Sequence, residues 1–188
     1  MGLFGTSKRA PRSSGVVELV AATRARAGDQ FVGRTFLGKY TVKKFLGEGS
    51  NAHVFLAAGP DPRQLVVVKR VKEEAASNPR FRQFFDAEVR SMARFRHPYV
   101  VRLLDASLDD PNGPCLVLEY IAGATLEAVL SKERVMPPER AARILGPFGH
   151  ALYAAQLAEI AHRDLKPANL MVTGYGTPAE SVRVMDFG

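Results

Sequence analysis

A change in hydrophobic periodicity at Tyr40 most constrains how this chain can fold. From there, short apolar stretches alternate with turns rich in glycine, serine and proline, which predicts β-strands. A segment with apolar residues at helical spacing follows, then further strand-like stretches and a second helical pattern. The predicted strands are 40–47, 52–58, 64–71, 100–106, 115–121, 170–173 and 181–185, and the predicted helices are 79–96 and 137–158. This order indicates an α+β chain: an antiparallel five-stranded lobe with one helix, then a helical lobe.

Composition narrows the class of protein. The 188 residues are 46% hydrophobic, enough for one core, and 26 Lys and Arg against 19 Asp and Glu give a net charge of +7. The basic residues are scattered and accompany no recognition motif, so we expect no nucleic-acid partner. Residues 1–39 are predicted to be a flexible leader and residues 40–188 a folded domain. No apolar stretch is long enough to span a bilayer and no secretory signal is visible, which predicts a cytoplasmic location.

The most specific chemical signal is the string His-Arg-Asp-Leu-Lys-Pro-Ala-Asn at residues 162–169, followed by Asp186-Phe187-Gly188. The string puts a candidate base, a cation and an oxygen ligand on one short loop. Asp186 adds a second carboxylate directly after a strand-like run. Two oxygen ligands beside a base and a lysine suit phosphoryl transfer, in which a metal neutralises phosphate charge and a carboxylate accepts the hydroxyl proton.

With these residues the chain resembles the eukaryotic-type (Hanks-type) serine/threonine protein kinases. The resemblance implies that Asp164 accepts the proton of the substrate hydroxyl and that Lys166 stabilises the transferring phosphoryl group. It implies that Asn169 and Asp186 ligate the metal. The implied cofactors are ATP and Mg²⁺, and the implied partners are protein substrates with serine or threonine hydroxyls. His162 is expected to be structural.

A glycine-rich segment, residues 46–54, joins the first two predicted strands. Glycines let a backbone close over phosphate groups and present N–H donors to them. The family's third glycine is Ala52 here, a departure that we expect to stiffen the loop. In the resemblance, two valines sandwich the adenine, a methionine forms its floor, and hinge backbone groups bond its edge. The implied nucleotide contacts are Leu46, Gly47, Glu48, Gly49, Ser50, Val54, Val67, Lys69, Glu119, Ile121 and Met171.

Lys69 ends the apolar run Val66-Val67-Val68-Lys69 and matches the lysine of the family's third strand. An ammonium group in so apolar a strand needs a partner, because unpaired burial is costly. Glu88 lies on the apolar face of the predicted helix 79–96 and is the expected partner, with catalytic importance implied for both residues. Asp86 is the competing carboxylate.

The resemblance covers the small lobe, residues 40–118, and the hinge and start of the large lobe, residues 119–188. A complete kinase domain needs roughly 250 or more residues, so we expect this chain alone to be inactive. The predicted helix 137–158 has an apolar face that would lack cover: Ala141, Ile144, Leu145, Phe148 and Leu152. One alternative is a truncated, non-catalytic protein that binds a nucleotide or a partner. Another, a small-molecule phosphotransferase, is disfavoured by Lys166.

Overall fold

Six antiparallel strands form the first sheet of the computed structural model, which describes residues 27–187. The strands are β1 (Thr35–Phe36), β2 (Tyr40–Glu48), β3 (Ala52–Ala58), β4 (Leu65–Val71), β5 (Leu103–Ser107) and β6 (Cys115–Glu119). Their order in the sheet is β1-β2-β3-β4-β6-β5. The α+β class is confirmed. The predicted count of five strands is wrong because β1, only two residues long, adds an edge strand beside β2.

Four α-helices and a second sheet complete the described chain. The helices are α1 (Glu73–Ala76), α2 (Phe81–Arg94), α3 (Leu126–Glu133) and α4 (Pro138–Leu157). The second sheet contains β7 (Ala124–Thr125), β8 (Leu170–Thr173) and β9 (Ser181–Val184), with antiparallel pairing throughout. The first lobe therefore carries two helices where the sequence predicted one, since α1 is a single turn. Two 3₁₀ turns, Asp29–Phe31 and Pro167–Asn169, precede the first sheet and β8 respectively.

Residues 28–37, here called the N-terminal strap, pack on the outer face of the first sheet. Phe31 is 5% exposed and Phe36 fully buried, and both belong to one core cluster with Phe45 and Phe55 of β2 and β3. The Leu37 N–H donates to Asp110 Oδ2 at 2.6 Å. The prediction of a flexible leader is therefore wrong for the strap, because two phenylalanines anchor it. The sequence also predicts a short helix at residues 16–26, but residues 1–26 lie outside the described residues.

The side chains of strand β4 alternate between the two faces of the first sheet. Because side chains alternate along a strand, Val66, Val68 and Arg70 are buried on the strap side, whereas Val67 and Lys69 face the opposite side. Helix α2 covers that opposite side: its Phe85 and Met92 share a cluster with Val67, Val71, Leu103, Leu116 and Leu118. Lys69 therefore lies on the face that packs against α2, where its ammonium group can reach a partner outside the first sheet.

Helix α4 crosses the second sheet and continues through Pro147. Ile144 is 1% exposed and packs with Val172 and Val182 of β8 and β9, so the predicted lack of cover is wrong for this residue. Phe148 and Leu152 are partly buried. Leu145 is 56% exposed, as predicted. Tyr153 and Leu157, 63% and 69% exposed, follow it at helical spacing and extend the uncovered stripe. No helix within residues 27–187 is both long and apolar enough to span a bilayer.

Candidate active site

The loop that follows α4 is fixed to the end of β9 through His162. This side chain is 5% exposed, and its Nε2 donates to the Met185 carbonyl oxygen at 2.7 Å. Its Nδ1 accepts a long hydrogen bond, 3.4 Å, from the Asp164 N–H. The ring also lies 4.6 Å from that of Phe187, centroid to centroid. Both ring nitrogens are therefore hydrogen-bonded to the backbone, which suits a structural role for His162. The bond to Met185 brings the loop 162–169 next to Asp186.

Asp164 is held by two neighbours on the same loop. Lys166 Nζ donates to Asp164 Oδ2 at 2.6 Å. Asn169 Nδ2 donates to the Asp164 carbonyl oxygen at 2.8 Å and to Oδ2 at 3.1 Å. The hydrogen bond from Lys166 is the main cause that lowers the pKa of Asp164 below its ordinary value, and the bond from Asn169 adds to it. The carboxylate is therefore ionised at neutral pH and largely open to solvent, as a proton acceptor must be.

Lys69 pairs with Asp186 in this structure. The ammonium nitrogen lies 2.6 Å from Asp186 Oδ1, and no ion pair joins Lys69 to Glu88 within the described residues. The predicted Lys69–Glu88 pair is therefore not formed, because Asp186, which has a left-handed φ of 57°, reaches the same ammonium group from the segment after β9. Burial raises the pKa of Glu88; Lys69 opposes this rise and the charge of Asp186 adds to it.

A cavity of about 700 Å³ joins these groups. The glycine-rich loop, β4, α2 and the loop after α4 all contribute to its wall. Of the predicted residues, Gly49, Ser50, Val54, Lys69, Glu88, Asp164, Lys166, Asn169 and Asp186 line it. The sequence reasoning missed Phe81, Phe84 and Phe85, whose spacing on α2 predicted only core packing. The other predicted nucleotide contacts, Leu46, Gly47, Glu48, Val67, Glu119, Ile121 and Met171, are not part of this wall.

Glu119, at the junction of the two lobes, is held in place by hydrogen bonds to its side chain. Its carboxylate accepts the Arg102 N–H at 2.9 Å and also pairs with the guanidinium of Arg183 on β9. Its own N–H donates to the Arg102 carbonyl oxygen at 3.0 Å. Sequence reasoning considered only the Glu119 backbone and missed both arginines, which lie 17 and 64 residues away. This network links the first sheet to the second.

The oxygen donors in the cavity fit a magnesium ion bound together with phosphates. Asn169 uses its amide nitrogen to hold Asp164. Its amide oxygen accepts no hydrogen bond within residues 27–187 and is therefore available to a cation. Asp186 uses Oδ1 for Lys69 and has no hydrogen bond at Oδ2 within the same residues. Mg²⁺ is usually held by one or two such protein oxygens plus substrate phosphates and water. A cluster of three or more His, Cys, Asp or Glu side chains, typical of an all-protein metal cage, is absent from the described part.

Comparison with known families settles the membership of the chain. The family model "Protein kinase domain" matches residues 40–188. The chain belongs to the protein kinase family. Among relatives, it is 34% identical over 160 residues to the serine/threonine-protein kinase pkn3 of Myxococcus xanthus and 36% identical over 153 residues to the probable serine/threonine-protein kinase PknB of Corynebacterium glutamicum. These matches cover 85% and 80% of this chain.

Solved structures agree with the fold. The kinase domain of PknI from Mycobacterium tuberculosis is similar with a TM-score of 0.70 and 25% identity over 83% of this chain. The match spans 62% of that kinase domain, and the chain spans only 29% of pkn3 and 23% of PknB. The kinase-like fold is thereby confirmed for the part of the domain described here.

Proposed function

We propose that this chain supplies the nucleotide-binding lobe and the catalytic loop of a protein kinase that transfers the γ-phosphoryl group of ATP to serine or threonine hydroxyls of proteins in the cytoplasm. The convergence of Lys69, Asp164, Asn169 and Asp186 on one cavity carries the proposal. They supply a base, two metal ligands and a cation, the groups that phosphoryl transfer requires. The naming of the relatives as serine/threonine-protein kinases supports the hydroxyl acceptor.

Each of these residues has a distinct role in the proposed reaction. The ionised Asp164 accepts the proton of the substrate hydroxyl, and Lys166, already 2.6 Å from it, neutralises charge on the transferring group. Asn169 and Asp186 would hold Mg²⁺, which supplies neutralisation of phosphate charge when bound. Lys69 supports the phosphates once Asp186 has released it to hold the metal. The positions of Glu119, Ile121, Val54, Val67 and Met171 as adenine contacts remain part of the proposal.

The metal dependence of nucleotide binding tests this assignment. We expect the full-length gene product to bind ATP measurably with Mg²⁺ and at least about tenfold more weakly after chelation, since two protein oxygens hold the metal only together with phosphates. Asp186→Asn should remove most of the gain in ATP affinity that Mg²⁺ gives. Asp109 is an exposed carboxylate paired with Arg82, and Asp109→Asn should leave that gain unchanged. Isothermal titration with and without Mg²⁺ measures both. Equal affinity in the two conditions would contradict the proposed metal ligands.

Glu88 gives a second prediction. We expect Glu88→Gln to lower the rate of phosphoryl transfer about 10- to 100-fold, the worth of a hydrogen bond to a charged group of about 1.5–3 kcal/mol. The reason is that Lys69 can bind phosphates only when Asp186 is free for the metal. Glu88, a further carboxylate of the cavity wall on which the charge of Lys69 already acts, is then its available partner. Asp86→Asn on the same helix is the matched control. A loss confined to Asp86→Asn would show that Asp86 is the partner of Lys69.

We also propose that residues 1–188 alone do not catalyse phosphoryl transfer. Leaving Leu145, Tyr153 and Leu157 in water forgoes about 1.5–3 kcal/mol for each side chain that could be fully buried, which is large against a domain stability of about 5–15 kcal/mol. In a chain that is only partly ordered, the distance between Asp164 and Asp186 would vary, and in-line transfer depends on that distance.

A further inference from the structure

The carboxylate of Glu119 is shared by two arginines from different parts of the chain. Its Oε1 accepts the backbone N–H of Arg102 at 2.9 Å and also a hydrogen bond from the guanidinium of Arg183. Its Oε2 accepts a long hydrogen bond, 3.4 Å, from Arg102 Nε. The side chains of Glu119 and Arg183 are only 17% and 26% exposed. Water therefore screens the ion pair between them less than it screens a pair on the open surface.

Glu119 ends β6, the strand that pairs with one side of the proposed adenine site. Val67 of β4, a proposed adenine contact, lies opposite Leu118 of β6, and Glu119 is the next residue. Lys69, which is proposed to support the phosphates, lies opposite Leu116 on the same strand. Because backbone hydrogen bonds join the two strands, a shift in the end of β6 also shifts this part of β4.

Arg183 belongs to the other side of the proposed adenine site. It lies on β9 directly opposite Met171 of β8, the proposed floor of that site. Directly opposite residues of antiparallel strands share one face of the sheet, so Arg183 and Met171 are neighbours. The other face carries the buried Val182 and Val184, and Val182 packs with Ile144 of α4. Arg183 therefore reaches Glu119 from the face of the second sheet that α4 leaves open.

Backbone hydrogen bonds join the first lobe to β9 at a second point. The Val101 N–H donates to the Val184 carbonyl oxygen at 2.9 Å, and the Val184 N–H donates to the Tyr99 carbonyl oxygen at 2.8 Å. These bonds attach the end of β9 to the segment that precedes β5. The ion pair between Glu119 and Arg183 adds an attachment on β6 itself. Two attachments restrict the rotation of one sheet against the other more than one attachment does.

We propose that Glu119 is a positioning residue whose side chain, through Arg183, sets the separation between the two sides of the adenine site. It thereby determines how closely Val67 and Met171 enclose the adenine ring. This inference rests on the proposed function, because it takes these two residues to contact adenine. A partly buried ion pair adds little net stability, since the loss of hydration offsets the attraction of the charges. Its distinctive contribution is a directional contact between the two sheets.

Glu119→Gln tests the side chain while the backbone groups proposed to bond adenine stay in place. The amide keeps the size of the carboxylate but removes its charge, which weakens the hydrogen bond from Arg183. The Kd of the full-length gene product would be measured for a non-hydrolysable ATP analogue with Mg²⁺ and, by ligand-observed NMR, for adenosine. We expect the variant to bind both ligands about fivefold more weakly, since both carry the adenine ring. Adenosine does not reach the metal site, so a shared factor places the effect at the adenine.

Arg183→Gln breaks the same ion pair from its other end. We expect it to weaken the binding of adenosine by a similar factor. The double variant Glu119→Gln/Arg183→Gln should bind within about twofold of either single variant, because the second substitution has no remaining pair to break. Losses that add up in the double variant would overturn the inference, since the two side chains would then act separately. Arg183→Gln also supplies the comparison of the two ligands if Glu119→Gln does not fold.

Glu133→Gln is the matched control. Glu133 forms a similarly buried ion pair with Arg140, between α3 and α4, and it is not part of the cavity wall. At a temperature where circular dichroism shows both variants folded, we expect Glu133→Gln to leave both Kd values within about twofold of the wild type.

Three results would overturn this inference alone: equal weakening by Glu119→Gln and Glu133→Gln, weakening of the ATP analogue without weakening of adenosine, or unchanged Kd values for both ligands in Glu119→Gln. Absence of nucleotide binding by the wild-type protein would overturn the proposed function, and the inference with it.

Discussion

Replacement of Asp164 by Asn is expected to lower the rate of phosphoryl transfer about 10²–10⁴-fold, the usual contribution of a positioned general base. The amide cannot accept the hydroxyl proton, although it preserves the size of the side chain and can still bond Lys166 and Asn169 in part. Affinity for ATP with Mg²⁺ should change little, because the proposed metal ligands are Asn169 and Asp186. Initial rates with a generic protein substrate, together with titration of the nucleotide, separate the two effects.

The matched control for Asp164→Asn is Asp61→Asn. Asp61 is an exposed carboxylate in the turn between β3 and β4, where it pairs with Arg63, and it is not part of the cavity wall. We expect this variant to keep the wild-type rate. A rate for Asp164→Asn within tenfold of the wild type would exclude Asp164 as the proton acceptor.

Replacement of Lys69 by Met is expected to lower turnover about 10²–10³-fold, the effect found when one preorganised group that stabilises developing charge is lost. Methionine preserves the length and apolar packing of the side chain on β4. The ion pair with Asp186 is partly exposed at both partners, so its loss should cost less than about 1 kcal/mol of stability. Activity and denaturant unfolding, measured on the same preparation, give both numbers.

Lys44→Met, on the exposed side of β2, removes the same charge without touching the cavity and should retain wild-type activity. If Lys69→Met were as active as Lys44→Met, the assignment of Lys69 within its strand would be wrong. If activity and stability fell together, Lys69 would be chiefly a structural residue.

The local features of this site could be predicted from the sequence because they depend on short spacing. Asp164, Lys166 and Asn169 lie on one loop, so their order along the chain already brings them together, and the structure shows the hydrogen bonds among them. Lys69 could be placed because a charged residue in an apolar strand stands out from its neighbours. The division into strands and helices followed from periodicity for the longer elements, such as β2, β4 and α4.

The partner of Lys69 could not be predicted, because it depends on small displacements between parts of the chain that are distant in sequence. Asp186 lies 117 residues from Lys69, whereas Glu88 lies 19 residues away on α2, and both carboxylates line the same cavity. Which one meets the ammonium group is decided by the position of α2 and by the left-handed backbone at Asp186. Periodicity carries no information on either.

The strap was missed for a different reason. Strand β1 has two residues, too few to show alternation, and its neighbours include Gly33 and Gly38, whose positive φ angles suit turns. Phe31 and Phe36 were the available signal: two phenylalanines five residues apart in a polar segment are costly to leave in water. Their burial against Phe55 shows that the core of the first sheet extends beyond the region of regular periodicity.

The most direct test of the account is the transfer of labelled phosphate from γ-labelled ATP with Mg²⁺ to a protein substrate, followed by analysis of the phosphorylated amino acids. We expect the full-length gene product to yield labelled phosphoserine or phosphothreonine, and residues 1–188 alone to yield neither. Turnover by the 188-residue chain would contradict the proposal that these residues alone are inactive. An absence of labelled protein with the full-length gene product, or label found only in small molecules, would contradict the central claim that this cavity transfers phosphate to protein hydroxyls.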